Sequence, residues 1–292
     1  MPPAWRMSSL MWRKLPAAHK AIAPCLVGGQ EVGDHAVIRR ALYLTIPGQR
    51  ATPVLDVLVR RCEEVVVALL PNRTFPRRIK NYLRPWWKLP VRVGFELAMK
   101  FSHSKPWPWP PLLQRCREYG ISPAIVPGRG RLDEPEYESF YHQMDLVVTN
   151  GYPKILGERL IAHFDRRVVN FHSSLLPRYR GLNQPLRILA NLEPKSGVTL
   201  HYVARGADTG ELIGQYSFPL DERANLQFHA EQVALGAGLL MEQCWNQIEE
   251  RVPGRPQPST AEEPIEIDVV DYVLRRTWNR LRRSVGLAPQ RI

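Results

Sequence analysis

Five short runs of continuous apolar character limit what this chain can fold into: residues 41–46 (ALYLTI), 64–70 (EVVVALL), 121–126 (ISPAIV), 145–149 (DLVVT) and 167–171 (RVVNF). A strand with one wet face alternates polar and apolar residues, whereas a continuous run needs cover on both faces. Stretches of helical character lie between the runs, from Pro47-Gly48 to about residue 61 and over residues 134–143 and 154–164. Strands alternating with helices predict an α/β fold with an open, mostly parallel, Rossmann-like sheet. At 292 residues and 44% hydrophobic composition, the chain can bury such a core.

Beyond the fifth run, residues 197–204 and 211–220 read as strands bracketing a loop at 205–210. A long helix is expected from about 226 to 251, with Val233, Leu235, Leu239 and Leu240 at helical spacing. Residues 252–264 are Pro-rich and 268–285 read as a basic helix. The expected organisation is a weakly structured extension at 1–38, a main domain at 39–251, and a linker with a C-terminal helix at 252–292. The extension holds Arg6, Arg13, Lys14 and Lys20 with no acid before Glu31. That composition suits a transit peptide, although prolines break it, and it equally suits a true start at Met7 or Met11.

Net charge is +12 and unevenly placed. Residues 73–105 carry Arg73, Arg77, Arg78, Lys80, Arg84, Lys88, Arg92, Lys100 and Lys105 against Glu96; the tail adds Arg275, Arg276, Arg280, Arg282, Arg283 and Arg291. A solvated face and a contact with a polyanion or membrane surface through 73–105 are both open readings. The same stretch lies in an insertion, 71–112, containing PWWKLP and PWPWPP, whose prolines interrupt any regular element. One amphipathic helix fits at 91–101; otherwise the insertion is a loop packing its tryptophans. Loops this long in compact domains are often functional, so substrate specificity is expected here. Cys25, Cys62, Cys116 and Cys244 are dispersed, which argues against a disulfide framework or zinc site and for a reducing, cytoplasmic setting. No run of eighteen apolar residues exists.

The chemistry concentrates at the end of the fifth run, in residues 170–181 (NFHSSLLPRYRG). Carboxyl ends of strands are where open α/β sheets hold ligands. Alternation puts Asn170 and His172 on one side and Phe171 on the other. A carboxamide beside an imidazole can stabilise an oxyanion and handle a proton, but an isolated pair is more often locally satisfied structure.

The longer pattern is more specific. NxHxSLLPxYRG, followed after some sixteen residues by GVTxHxxxxGxDTGxxI, resembles the signature of the formyltransferases that use 10-formyltetrahydrofolate. That family includes glycinamide ribonucleotide, methionyl-tRNA and sugar N-formyltransferases. The resemblance implies the formyltransferase fold, 10-formyltetrahydrofolate as formyl donor and an amine as acceptor. It carries the family's Asn, His and Asp onto Asn170, His172 and Asp208, with His201 as a supporting candidate. It also implies a folate-binding loop at Gly151, Tyr152, Pro153, Lys154, Ile155 and Leu156, closed on the other side by Val203 to Ala207. No metal is implied.

Departures from the pattern narrow the acceptor. Residues 47–52 (PGQRAT) lack the Gly-rich phosphate loop of the glycinamide ribonucleotide enzymes. The forty-one residues after Arg251 are too few for the barrel that methionyl-tRNA enzymes append. An amino sugar or other small amine is the expected acceptor. A formyltetrahydrofolate hydrolase, a methionyl-tRNA formyltransferase-like protein and a non-catalytic binding protein on the same fold are the alternatives.

Overall fold

The computed structural model describes residues 37–70, 88, 90–91, 93–94, 107–126, 134–152, 156–258 and 267–290. The expected extension at 1–38, apart from Val37 and Ile38, lies outside the described residues, as does most of the 71–112 insertion, including most of the helix expected at 91–101.

Seven strands form one sheet: β1 (Arg40–Thr45), β2 (Glu64–Leu69), β3 (Ala124–Ile125), β4 (Leu146–Asn150), β5 (Val168–His172), β6 (Lys195–Tyr202) and β7 (Leu212–Pro219). Their order is β3-β2-β1-β4-β5-β6-β7. The first five run parallel, and β6 and β7 turn back antiparallel along the edge. This is the mostly parallel sheet the apolar runs predict. Alternation along β1 shows why those runs are continuous. Ala41 and Tyr43 enter a core shared with α1 (Thr52–Arg61) and a long helix below, while Leu42 and Leu44 enter a second core on the opposite face. Truncating a fully buried leucine such as Leu55 is expected to cost about 2–5 kcal/mol.

Helices α2 (Leu112–Glu118), α3 (Glu158–Phe164), α4 (Gln184–Ala190), α5 (Leu226–Gln243), α6 (Trp245–Glu249) and α7 (Val269–Ser284) follow, with two 3-10 helices, and Pro90, Val91, Val93 and Gly94 are also helical. Three expectations need correction. The helix expected at 134–143 is a 3-10 helix, Pro135–Phe140, because Tyr137 and Tyr141 are both drawn into the second core. The strand expected at 121–126 pairs only over Ala124–Ile125, since Ile121 folds back to the end of α2, its amide bonding to Cys116. The helix expected to reach residue 251 breaks at Cys244, where Trp245 turns into the first core as α6 begins. Residues beyond α6 stay attached to the sheet, Arg255 exchanging main-chain hydrogen bonds of 2.8 Å with Leu212.

Candidate active site

Strand β5 ends where β6 pairs with it antiparallel, so Asn170 lies opposite His201 and His172 opposite Thr199. Asn170 and His172 share a face and Phe171 enters the first core behind them. The hydroxyl of Thr149, at the end of β4, donates to Asn170 Oδ1 at 2.7 Å. That bond orients the carboxamide: its NH2 points away from Thr149, to His201 Nε2 at 3.0 Å and Asp208 Oδ1 at 3.4 Å.

Asp208 arrives on the loop between β6 and β7 with φ of 54°, in the left-handed region that Asp tolerates better than most residues. Two residues on, Gly210 passes so close to the Tyr202 carbonyl that a Cβ there would overlap it. Glycine is the residue that lets this loop fold back and deliver the carboxylate. Oδ1 of Asp208 lies 3.3 Å from His172 Nδ1 and 3.6 Å from His201 Nε2, and Oδ2 accepts the Gly181 amide at 3.0 Å.

Hydrogen-bond accounting assigns the ring protons. His172 Nε2 faces the Tyr179 carbonyl at 2.8 Å, and a carbonyl only accepts, so Nε2 carries a hydrogen. By the same reasoning His201 Nδ1 donates to the Tyr202 carbonyl at 2.8 Å, leaving its Nε2 to accept from Asn170. His172 therefore presents its Nδ1 edge to Asp208, with Gln184 Nε2 at 3.5 Å from the same atom. Both imidazoles are buried. Burial alone pushes the Asp208 carboxyl up, but the hydrogen bond to His172, attraction to His172 and the Gly181 amide outweigh it. They hold Asp208 well below the usual carboxylate range.

The loop from Ser173 to Asn183 is itself braced. Thr199 donates to the Ser174 carbonyl at 2.6 Å and accepts the Leu176 amide at 3.0 Å. Tyr179 hydroxyl and Arg178 both donate to the buried Glu193 carboxylate, at 2.7 and 2.8 Å. Gln257, from the segment after α6, donates to the carbonyls of Asp208 at 2.9 Å and Gly210 at 2.7 Å and accepts from Arg180 at 2.8 Å. One side chain thus ties the Asp208 loop to the loop after β5.

Of the residues expected to hold folate, Tyr152, Leu156 and Val203 pack into the second core beside the ends of β4 and β5, and Gly151 turns with φ of 68°. Tyr152 hydroxyl is buried without a hydrogen-bond partner among the described residues, an unfilled polar position in an apolar wall. Such a wall suits a flat heteroaromatic ring with polar edges. Ala207 is exposed, and Pro153, Lys154 and Ile155 lie outside the described residues. Among the described residues, no group of three or more His, Cys, Asp or Glu is arranged to hold a metal ion.

Thr149, Gln184 and Gln257 were not singled out by the sequence. Their links to the site span 21, 12 and 49 residues, and no local pattern announces them.

The chain resembles known proteins in the same region. Residues 129–234 match the formyl transferase family. The methionyl-tRNA formyltransferase of Staphylococcus aureus (strain Newman) is 26% identical over 245 residues, covering 82% of this chain and 70% of that protein. Phosphoribosylglycinamide formyltransferase from Anaplasma phagocytophilum has the same fold, with a TM-score of 0.52 and 19% identity over 77% of this chain and 95% of that one. So does an N-formyltransferase from Helicobacter canadensis solved with folinic acid and dTDP-3-aminofucose, with a TM-score of 0.51 and 16% identity over 82% of this chain and 80% of that one. The matched residues contain β5, β6 and the whole Asn170–His172–Asp208–His201 cluster, so the similarity to the formyl transferase family spans the site itself.

Proposed function

We propose that the enzyme transfers the formyl group of 10-formyltetrahydrofolate to an amino sugar or another small amine, with Asn170, His172 and Asp208 acting on the reacting atoms and His201 supporting them. The observation that carries this reading is the convergence of Asn170 Nδ2, His172 Nδ1 and Asp208 on one point at the carboxyl ends of β4 and β5. The donor supplies the formyl group, and Gly151, Tyr152, Leu156 and Val203, with Pro153, Lys154, Ile155 and Ala207, would hold its pteridine.

In the transfer, a bond forms from the amine nitrogen to the formyl carbon and the bond from that carbon to the donor nitrogen breaks. Negative charge develops on the formyl oxygen. Asn170 Nδ2, fixed by Thr149, donates to that oxygen. With Nε2 committed to Tyr179, His172 has only its Nδ1 edge, beside Asp208, to offer the reacting atoms. Asp208 orders the water that takes the proton from the amine, and the departing nitrogen gains one in exchange. Removing one donor of this kind costs on the order of 10²–10³ in rate.

Local structure at α1 supports an acceptor other than one held by phosphate at that helix. The helix begins Thr52-Pro53: the proline brings no N–H, and Thr52 hydroxyl donates to the Pro110 carbonyl at 2.9 Å. Cys62, Cys116 and Cys244 are free thiols, which supports a reducing compartment such as the cytoplasm. The test is turnover of 10-formyltetrahydrofolate against nucleotide-linked amino sugars, free amino acids and methionyl-tRNA. Turnover confined to the amino sugars supports the proposal. Turnover confined to methionyl-tRNA, or release of formate without any amine, refutes it.

A further inference from the structure

Helix α7 sets both apolar and polar side chains against the body. Its sequence, VVDYVLRRTWNRLRRS, places Arg276 and Asn279 among buried residues, where their side chains bond to main-chain carbonyls of the body. Arg276 donates to the carbonyls of Glu222 at 3.0 Å and Ala224 at 2.5 Å, Asn279 to that of Ala190 at 2.9 Å, and Arg283 to that of Leu192 at 3.0 Å. These bonds hold the helix to the protein together with the buried Val270 and Tyr272. The opposite side consists of Leu274, Trp278, Leu281 and the capping Val285, spaced 4, 3 and 4 residues apart and therefore in one stripe. They are 57%, 51%, 55% and 64% exposed. Scattered exposed apolar residues are ordinary, but four in one helical stripe mark a surface that is covered by something.

Charge says what covers it. Arg275 and Arg282 border the stripe on one side, counting about 100° per residue, while Arg280 lies further round and donates to the Glu222 carbonyl. The only acid in the helix, Asp271, lies 3.4 Å from Lys88 Nζ, which also reaches Asp268 at 3.0 Å. Lys88 thereby fixes a point of the basic, Trp-rich 71–112 insertion beside the first turn of α7. Two copies packed stripe against stripe would set the same arginine border against itself, a like-charge contact. An extended anion suits the surface better, and a helix with Trp and Leu outward and Arg at its borders is the pattern of a helix lying in a lipid interface. Among the described residues no helix is long and apolar enough to cross a membrane, so the contact is peripheral.

We propose that α7 seats this enzyme on an anionic lipid surface, Leu274, Trp278, Leu281 and Val285 entering the headgroup boundary and Arg275 and Arg282 meeting lipid phosphates. The site described above is on other elements, so this surface stands or falls independently of the acceptor. The experiment is sedimentation of the full chain with vesicles of equal parts phosphatidylglycerol and phosphatidylcholine, and with phosphatidylcholine alone. Two variants accompany it: Leu274→Ser with Trp278→Ser and Leu281→Ser, and Arg275→Glu with Arg282→Glu. Unchanged thermal midpoints in both variants show that they fold. The expected result is salt-sensitive binding to the anionic vesicles only, weakened tenfold or more in each variant. Absent binding, equal binding to neutral vesicles, or binding unchanged in the variants overturns the proposal. Light scattering that finds a dimer in the wild type and a monomer in the serine variant also overturns it, because a second copy then covers the stripe.

Discussion

The Gln257 side-chain amide lies 2.9 Å from the Asp208 main-chain carbonyl, and the same nitrogen reaches the Gly210 carbonyl at 2.7 Å. A residue 49 positions away thus holds the loop that carries the proposed proton-handling carboxylate, while its oxygen accepts from Arg180 on the facing loop. Active-site loops held by several bonds are positioned to a fraction of an ångström, and loss of that positioning shows in rate before it shows in stability.

Gln257→Ala is therefore expected to lower kcat about tenfold or more. Its stability cost should stay within about 1–3 kcal/mol, because the side chain is only partly buried. Steady-state kinetics with thermal unfolding on the same sample checks this. Unchanged kcat with a large loss of stability would mean that Gln257 serves the fold alone.

Thr149 has a narrower task. It is buried, and its hydroxyl is the group that decides which way the Asn170 carboxamide faces. Thr149→Val keeps the shape, removes the donor, and is expected to reduce kcat by roughly ten- to a hundredfold, in line with a loss of about 1–3 kcal/mol. Thr149→Ser retains the hydroxyl and should restore most of the rate. A serine variant as slow as the valine variant would contradict the orienting role.

These two residues also mark where the sequence stops being legible. Continuous apolar runs gave the sheet because burial on both faces leaves a mark at every strand position, as Leu42 and Tyr43 show by entering opposite cores. Asn170 and His172 could be put on one face from strand alternation alone. Asp208 could not, since its approach depends on a left-handed residue and a close-packed Gly210; only the resemblance singled it out. Thr149, Tyr179 through its carbonyl, and Gln257 act by long-range hydrogen bonds that leave no periodicity. The basic character of α7 was visible, but which side faces the body was not, because carbonyls of Glu222, Ala224 and Ala190 draw Arg276 and Asn279 inward beside Val270 and Tyr272.

Acid should expose a second buried group. His229 is fully buried, contacts Ser196 Oγ through Nε2 at 2.8 Å, and is pushed down to about 3 by burial and by Arg50. Between roughly 6.5, the unfolded value, and about 3, the unfolded chain binds a proton that the folded chain refuses. Stability is thus complete above that window and falls with pH inside it, by roughly 2 kcal/mol at pH 5. The Asp208 contribution has the depressed-carboxylate sign and is lost only below roughly pH 4. Thermal midpoints measured from pH 7.5 to 5 should fall in the wild type and stay flatter in His229→Gln. Parallel curves would remove His229 from the account.

The most direct test of the proposed chemistry is amine-dependent release of tetrahydrofolate from 10-formyltetrahydrofolate, comparing wild type with Asp208→Asn and His172→Ala. The account predicts release that requires an amine acceptor, with both folded variants slower by on the order of 10²–10³. Wild-type turnover in both variants would contradict it, as would release that proceeds equally without the amine.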